Sequence, residues 1–227
     1  MYISTPARLR VFQLVVVTIL LSVFSQNSHA TIYQWVGPVA GGAWTTAANW
    51  SPSGPPPSGA GHTVVIDPNT TGTCAITAVP TATFDKLVIG LTYTSSTVTL
   101  SGATTTLTVA GAYPTNGLQV NSNLTLLTTN GVNITTAGAI LSQGKTITIP
   151  SGRTLTVTGY FLNQGTISNS GTVTCNATTC TVDYNSSSSQ TILPLNYYNL
   201  TSTSSGARVL SSTGTIGVAG AFTPGTN

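Results

Sequence analysis

The stretch that decides the fold is residues 98–113, VTLSGATTTLTVAGAY, because residues 147–161, ITIPSGRTLTVTGYF, repeat its pattern. In both, aliphatic residues alternate with threonine, and this period of two predicts short strands with one face buried and one exposed. Equivalent positions such as Val98 and Ile147 lie 49 residues apart. That distance predicts a solenoid in which about two coils, of roughly 20 to 25 residues each, separate equivalent positions.

Similar aliphatic pairs recur through the whole segment from residue 84 to residue 175. They are Leu87/Ile89, Val98/Leu100, Leu107/Val109, Leu118/Val120, Leu124/Leu126, Val132/Ile134, Ile147/Ile149 and Leu155/Val157. Many short strands with frequent turns fit two all-β architectures, a right-handed parallel β-helix (β-solenoid) or tandem antiparallel β-sandwiches. We prefer the solenoid because the hairpin dipeptide Asn-Gly does not occur at every turn.

The first thirty residues, 1–30, are predicted to be a secretory signal peptide. Arg8 and Arg10 precede a largely apolar run, and Ser28-His29-Ala30 offers small residues for a signal peptidase. The apolar run is shorter than the roughly 20 residues that span a bilayer, so we expect cleavage rather than a membrane anchor. The chain is therefore expected to be secreted or held at the cell surface, beginning at Thr31, with no membrane span after cleavage.

Residues 31–61 differ in composition from the rest of the chain. They are rich in Pro and Gly and contain all three tryptophans, Trp35, Trp44 and Trp50. We expect them to form an N-terminal cap whose indoles cover the open end of the first coil. The alternative is that the three tryptophans form a carbohydrate-binding surface, since an exposed indole can stack on a sugar ring.

The remainder of the chain divides into two predicted segments. Residues 62–180 are expected to hold the solenoid repeats, and residues 181–227 a C-terminal repeat of a second type, either whole or truncated. In that last segment Ile216 and Val218 are expected to lie at an open strand edge. Such an edge pairs readily with other strands, so self-association is expected.

The composition excludes several classes of partner. Only 4% of the residues are charged, and from Thr31 onward four basic residues stand against three aspartates. A net charge of +1 with no basic cluster offers nothing to neutralise phosphates, so neither nucleic acid nor an anionic membrane surface is an expected partner.

The few titratable residues predict no catalysis, metal or cofactor. Asp67, Asp85 and Asp183 are distant from one another in sequence, whereas glycosidases need two carboxylates around one bond. Asp67, just before a proline, is expected to bond its own turn, and Asp183 is expected to face solvent. His62 is the single histidine after the signal peptide, with no nucleophile motif to accompany it.

The three cysteines are all expected to point inward. Cys74, Cys175 and Cys180 each share parity with a neighbouring aliphatic residue, so packing in the core is the preferred interpretation. In an oxidising compartment the alternative is a disulfide between Cys175 and Cys180 across a short loop.

Two groups of residues resemble known proteins. At the N-terminal end these are Trp35-x-Gly37, Trp44, Asn49-Trp50-Ser51 and Val64-Val65-Ile66-Asp67, and near the C-terminal end Gln190-Thr191-Ile192 and Asn196-Tyr197-Tyr198-Asn199-Leu200-Thr201. Together they resemble large secreted bacterial surface proteins of the adhesin or hemagglutinin-repeat type. This resemblance implies a structural or adhesive role, with surface glycans or other copies of the chain as partners. A carbohydrate-binding module and a β-helical carbohydrate-active enzyme are the alternatives.

Overall fold

The structure, a computed structural model, describes residues 30–175 and 177–225. The predicted signal peptide lies outside the described residues except for Ala30. The described residues form 23 short strands and one 3₁₀ turn, Ala47–Asn49. None of them forms a helix with the length and apolar character needed to cross a membrane.

In chain order the strands are β1 (Thr31–Trp35), β2 (Gly41–Ala43), β3 (Trp50–Ser51), β4 (His62–Ile66), β5 (Thr73–Thr77), β6 (Ala82–Phe84), β7 (Lys86–Ile89), β8 (Thr97–Leu100), β9 (Thr106–Val109), β10 (Gly117–Val120), β11 (Asn123–Leu126), β12 (Asn133–Leu141), β13 (Thr146–Ile149), β14 (Thr154–Asn163), β15 (Thr166–Asn169), β16 (Thr172–Thr174), β17 (Thr181–Tyr184), β18 (Gln190–Ile192), β19 (Asn196–Tyr197), β20 (Asn199–Thr201), β21 (Arg208–Leu210), β22 (Gly217–Val218) and β23 (Phe222–Thr223).

The strands stack in parallel on three faces. The first face contains β1, β4, β7, β10, β12, β14, β17, β20 and β23, the second β2, β5, β8, β11, β13 and β15, and the third β6, β9, β12, β14 and β16. Strands β12 and β14 serve two faces because the chain bends within each of them, where the register shifts between Thr136 and Gly138. Beyond β17, the pairs β18–β21 and β19–β22 form two separate small parallel sheets.

Parallel pairing confirms the all-β solenoid architecture and shows that the sandwich alternative is wrong. The exception among the named strands is β3, which pairs antiparallel with β1. Val98 lies beside Leu124, and Leu124 beside Ile147, so the offset of 49 residues does span two coils. The right-handed sense of the coil stays a prediction.

Coil length varies more than the sequence pattern predicts. Between paired residues of the first face, a coil takes 31 residues from Leu87 to Leu118 but 18 from Val182 to Leu200. The long coil contains the extended loops that follow β7 and β9. Strand length is set by the alternating core pattern, whereas loops on the outside of the coil vary freely.

The core is a set of columns of like side chains that run along the axis of the stack. On the third face, for example, Leu107, Ile134 and Leu155 lie one above another and are buried. All eight predicted aliphatic pairs are buried. Burial of these columns supplies the hydrophobic stabilisation that a nearly uncharged chain needs.

The outward positions of two faces form columns of hydroxyl side chains. Thr99, Thr125 and Thr148 are neighbours on the second face. On the third face the column is Thr83, Thr108, Thr135, Thr156 and Thr174. Threonine combines a β-branched carbon, which suits strands, with a hydroxyl that faces water, so these columns keep the surface soluble without charge.

The N-terminal segment is continuous with the stack. Strands β1 and β2 pair in parallel with β4 and β5, and Trp44 packs against Phe84 of β6, the first strand of the third face. The ring of Trp44 lies 4.8 Å from that of Trp50 and 5.9 Å from that of Phe84. Trp44 therefore packs at the first residue of the inward column, and the capping role of the whole segment stays a prediction.

Candidate functional site

The three tryptophans proposed as ligand-binding residues are all buried. Trp35, Trp44 and Trp50 are 4%, 0% and 2% exposed. The indole nitrogen of Trp50 donates to the carbonyl oxygen of Trp44 at 2.7 Å, and Trp35 donates to Pro38 at 3.3 Å. Because no indole face is open to solvent, the geometry does not support the expectation of a sugar-stacking surface at these residues.

Two of the cysteines form the disulfide that the sequence analysis gave as the alternative to packing in the core. Cys175 and Cys180 form a disulfide, with their Cα atoms 5.5 Å apart, at the corner between β16 and β17. Cys74 is free and buried in β5. Burial raises the pKa of the Cys74 thiol to about 11, so this thiol stays protonated and unreactive at neutral pH.

We expected Asp67 to bond its own turn, and this expectation is wrong. Its carboxylate instead accepts three backbone hydrogen bonds from the next coil, from the amides of Leu91, Thr92 and Tyr93 at 2.8, 2.9 and 2.9 Å. These amides lie 24 to 26 residues further along the chain. Asp67 thus holds the loop between β7 and β8.

Asp183 was expected to face solvent, and the structure corrects this. It is 1% exposed, because the chain after β20 covers it. Its carboxylate accepts hydrogen bonds from the hydroxyl of Tyr160 at 2.7 Å, and from the hydroxyl and amide of Thr203 at 2.6 and 3.1 Å. Burial and the hydrogen bond to Asp183 raise the pKa of Tyr160.

The carboxylate of the third aspartate and the ring of the histidine have different partners. The carboxylate of Asp85 accepts a hydrogen bond from the amide of Gly61 at 2.9 Å. The ring of His62 packs edge-on against Tyr33, and its Nδ1 has no hydrogen-bond partner among the described residues. In the described part of the chain no three His, Cys, Asp or Glu side chains come together as a metal site would require.

A polar network replaces aliphatic packing in the last coils. The hydroxyls of Tyr184 and Tyr197 lie 2.9 Å apart inside the core, where burial raises the pKa of both. The guanidinium of Arg208 donates to the carbonyl oxygen of Tyr184 at 2.7 and 3.0 Å. The side chain of Gln190 bonds the carbonyl oxygens of Asn163 and Gly165 at 3.0 and 2.9 Å. These contacts join the C-terminal segment to the main stack.

Two surface hollows are lined by described residues that the contacts above do not explain. One, of about 430 Å³, lies near the C-terminal end and is lined by apolar residues such as Phe222 and Leu200 together with serines. The other, of about 520 Å³, lies between the loops of residues 69–71 and 92–95. We call the second one the Tyr93 hollow, because Tyr93 is the aromatic residue that lines it.

Sequence reasoning did not find the Tyr93 hollow. Apart from Tyr93, the residues of its two loops are Thr, Ser and Asn, which are typical of ordinary turns. The sequence spacing did contain a signal for the position of this loop. Asp67 precedes residues 91–93 by about one coil, so its carboxylate could be expected to lie next to their backbone amides. Neither known protein families, nor curated proteins, nor solved structures give a significant match to this chain.

Proposed function

We propose that this protein is a non-catalytic, secreted or cell-surface β-solenoid with a structural or adhesive role. The observation that carries the proposal is the use made of its carboxylates. All three accept hydrogen bonds from backbone amides and so fix loops in place. Catalysis of the glycosidase type needs two carboxylates that exchange protons with substrate around one bond, whereas these three hold separate loops.

The shape of the stack supports the adhesive part of this proposal. Nine strands follow one another along the first face, which makes a rod about 38 Å long at about 4.8 Å per strand. Its second and third faces present the threonine columns. A stiff rod with neutral, hydroxyl-rich sides suits display at a surface.

Retention of cells tests the adhesive role, and product release tests the absence of catalysis. Residues 31–227 are immobilised, and intact bacterial and animal cells are passed over them under flow. We expect retention of at least one cell type, and no new reducing ends when soluble polysaccharides are incubated with the protein. Retention of no cell type would contradict adhesion, and release of sugar products would contradict the non-catalytic role.

Export is tested separately in the organism that makes the protein. We expect mass spectrometry of the exported chain to find Thr31 as its first residue. An exported chain that still contains Met1 would overturn this part of the proposal.

A further inference from the structure

The lining of the Tyr93 hollow is polar but carries no charge. Residues 69–71 and 92–95 supply four threonines, one serine, one asparagine and Tyr93, which is 41% exposed. The two nearby charged side chains both bond the backbone of the loop. The carboxylate of Asp67 accepts the three loop amides described above, and the ammonium of Lys145 donates to the carbonyl oxygen of Thr94 at 2.7 Å. The hollow therefore offers hydroxyl and amide groups together with one aromatic side chain.

The loop that forms one wall of the hollow is held from several directions. Asp67 binds its amides from the preceding coil, Lys145 binds a carbonyl from further along the stack, and the hydroxyl of Ser122 donates to the carbonyl oxygen of Tyr93 at 3.0 Å. Gly90 opens the loop with a φ of +74°, and a Cβ at that position would lie 2.5 Å from the Ser122 hydroxyl oxygen. A larger residue would push the loop away from Ser122.

These contacts fix the backbone of the loop at both its amide and its carbonyl groups. Fixing a loop before binding reduces the conformational entropy that a ligand would otherwise have to offset. Tyr93 and its hydroxyl neighbours are thus presented in one arrangement, and the side chains themselves stay open to solvent. This is the design expected of a ligand site on a rigid scaffold.

We propose that the Tyr93 hollow binds a short segment of a neutral oligosaccharide. Sugar rings have apolar C–H faces that pack on aromatic side chains, and hydroxyls that exchange hydrogen bonds with Thr, Ser and Asn. The uncharged lining disfavours phosphorylated or acidic ligands, which would leave their charges without a partner. This inference rests on the proposed adhesive function and names its ligand class. The sugar would contact the exposed Tyr93 and not the buried tryptophans.

Two variants and one control address the site. Tyr93→Ala removes the aromatic ring, and the double variant Thr71→Val/Thr92→Val removes two exposed hydroxyls while keeping side-chain shape. As the control, Tyr198→Ala removes a half-buried tyrosine close to the opposite end of the stack. Calorimetry of the folded proteins would use cellohexaose, xylohexaose, mannohexaose and maltohexaose as neutral probes, and an oligogalacturonate as an acidic one.

We expect the unmodified chain to bind at least one neutral hexasaccharide, and the oligogalacturonate more weakly. Tyr93→Ala should weaken binding at least about tenfold, the double threonine variant should also weaken it, and Tyr198→Ala should leave it unchanged. If Tyr93→Ala does not fold, the threonine variant decides alone. Unchanged binding in the site variants, or no neutral binding at all, would overturn the proposal. Cells retained by a chain that binds no neutral sugar would leave the adhesive role standing without this site.

Discussion

A carboxylate placed at Leu155 should unfold the stack at neutral pH, whereas the same carboxylate at Thr156 should be tolerated. Leu155 is 1% exposed and lies between Ile134 and Val173 in the third-face column. Thr156, the next residue, points outward in the threonine column between Thr135 and Thr174. Both substitutions add one negative charge, so any effect of net charge is the same in the two variants.

The expected cost follows from the contacts that are lost and the charge that is buried. Removing the leucine side chain from the core gives up about 2–3 kcal/mol of apolar burial. The new carboxylate has no donor within the aliphatic column, and burying it unpaired costs several kcal/mol more. Together these approach the 5–15 kcal/mol that is the usual total stability of a domain. At Thr156 the carboxylate stays hydrated, so we expect a change within about 1 kcal/mol.

The pH dependence gives a second, independent signature. Burial raises the pKa of the introduced carboxyl in the folded state above its value of about 4 in the unfolded chain. The charge-related part of the loss is therefore full only above this raised pKa, shrinks as the pH falls toward about 4, and is absent at lower pH, where both states bind the proton. Urea denaturation followed by circular dichroism at pH 7 and pH 3.5 measures both effects. Equal stability of the two variants, or no pH dependence for Leu155→Asp, would refute the argument.

Three further outcomes are expected. Without reductant, one thiol per chain, that of Cys74, should react with Ellman's reagent, and only in denaturant; rapid reaction of the native protein would contradict its burial. Asp67→Ala should cost about 1–3 kcal/mol and speed hydrogen exchange at residues 91–93, since three amides lose their acceptor, and mass spectrometry should locate that change in this loop. A purified chain of residues 31–227 should self-associate through the exposed edge at β23, where Phe222 is 61% exposed. In sedimentation experiments Phe222→Lys should suppress this association, and the control Val39→Lys, at a side chain that is 53% exposed, should not. A wild-type chain that stays monomeric at high concentration would show that the edge is protected.

The strands and their inward faces were predictable because both depend on local alternation. Inward residues such as Leu155 and Val157 recur at every second position within a strand, and this alternation alone assigns them to the core. The two-coil offset could be read for the same reason. Loop lengths could not, since nothing in one coil determines how far the chain travels before the next strand begins.

The errors concern contacts between coils. The alternating pattern predicted that Asp183 points away from the aliphatic core. Its side chain is nevertheless buried, because Thr203, one coil later, covers it. Asp67 was misassigned in the same way, because its amide partners are supplied by a loop 24 to 26 residues ahead. Ile216 and Val218 were expected at an exposed edge, yet they pack partly buried against the core, while Leu210 and Phe222 are the exposed residues. A correct prediction in each case would have required knowledge of which loop covers which strand.

The direction of the backbone hydrogen bonds has a mechanical consequence for a chain anchored at one end and pulled at the other. In a stack of this kind these bonds lie along the rod, so tension acts to open them one layer at a time. A released coil of 18 to 31 residues would add about 60 to 105 Å of extended chain. Strands β12 and β14 should yield last, since each is paired on two faces. A rod about 38 Å long could thus lengthen severalfold under load and keep its ends connected.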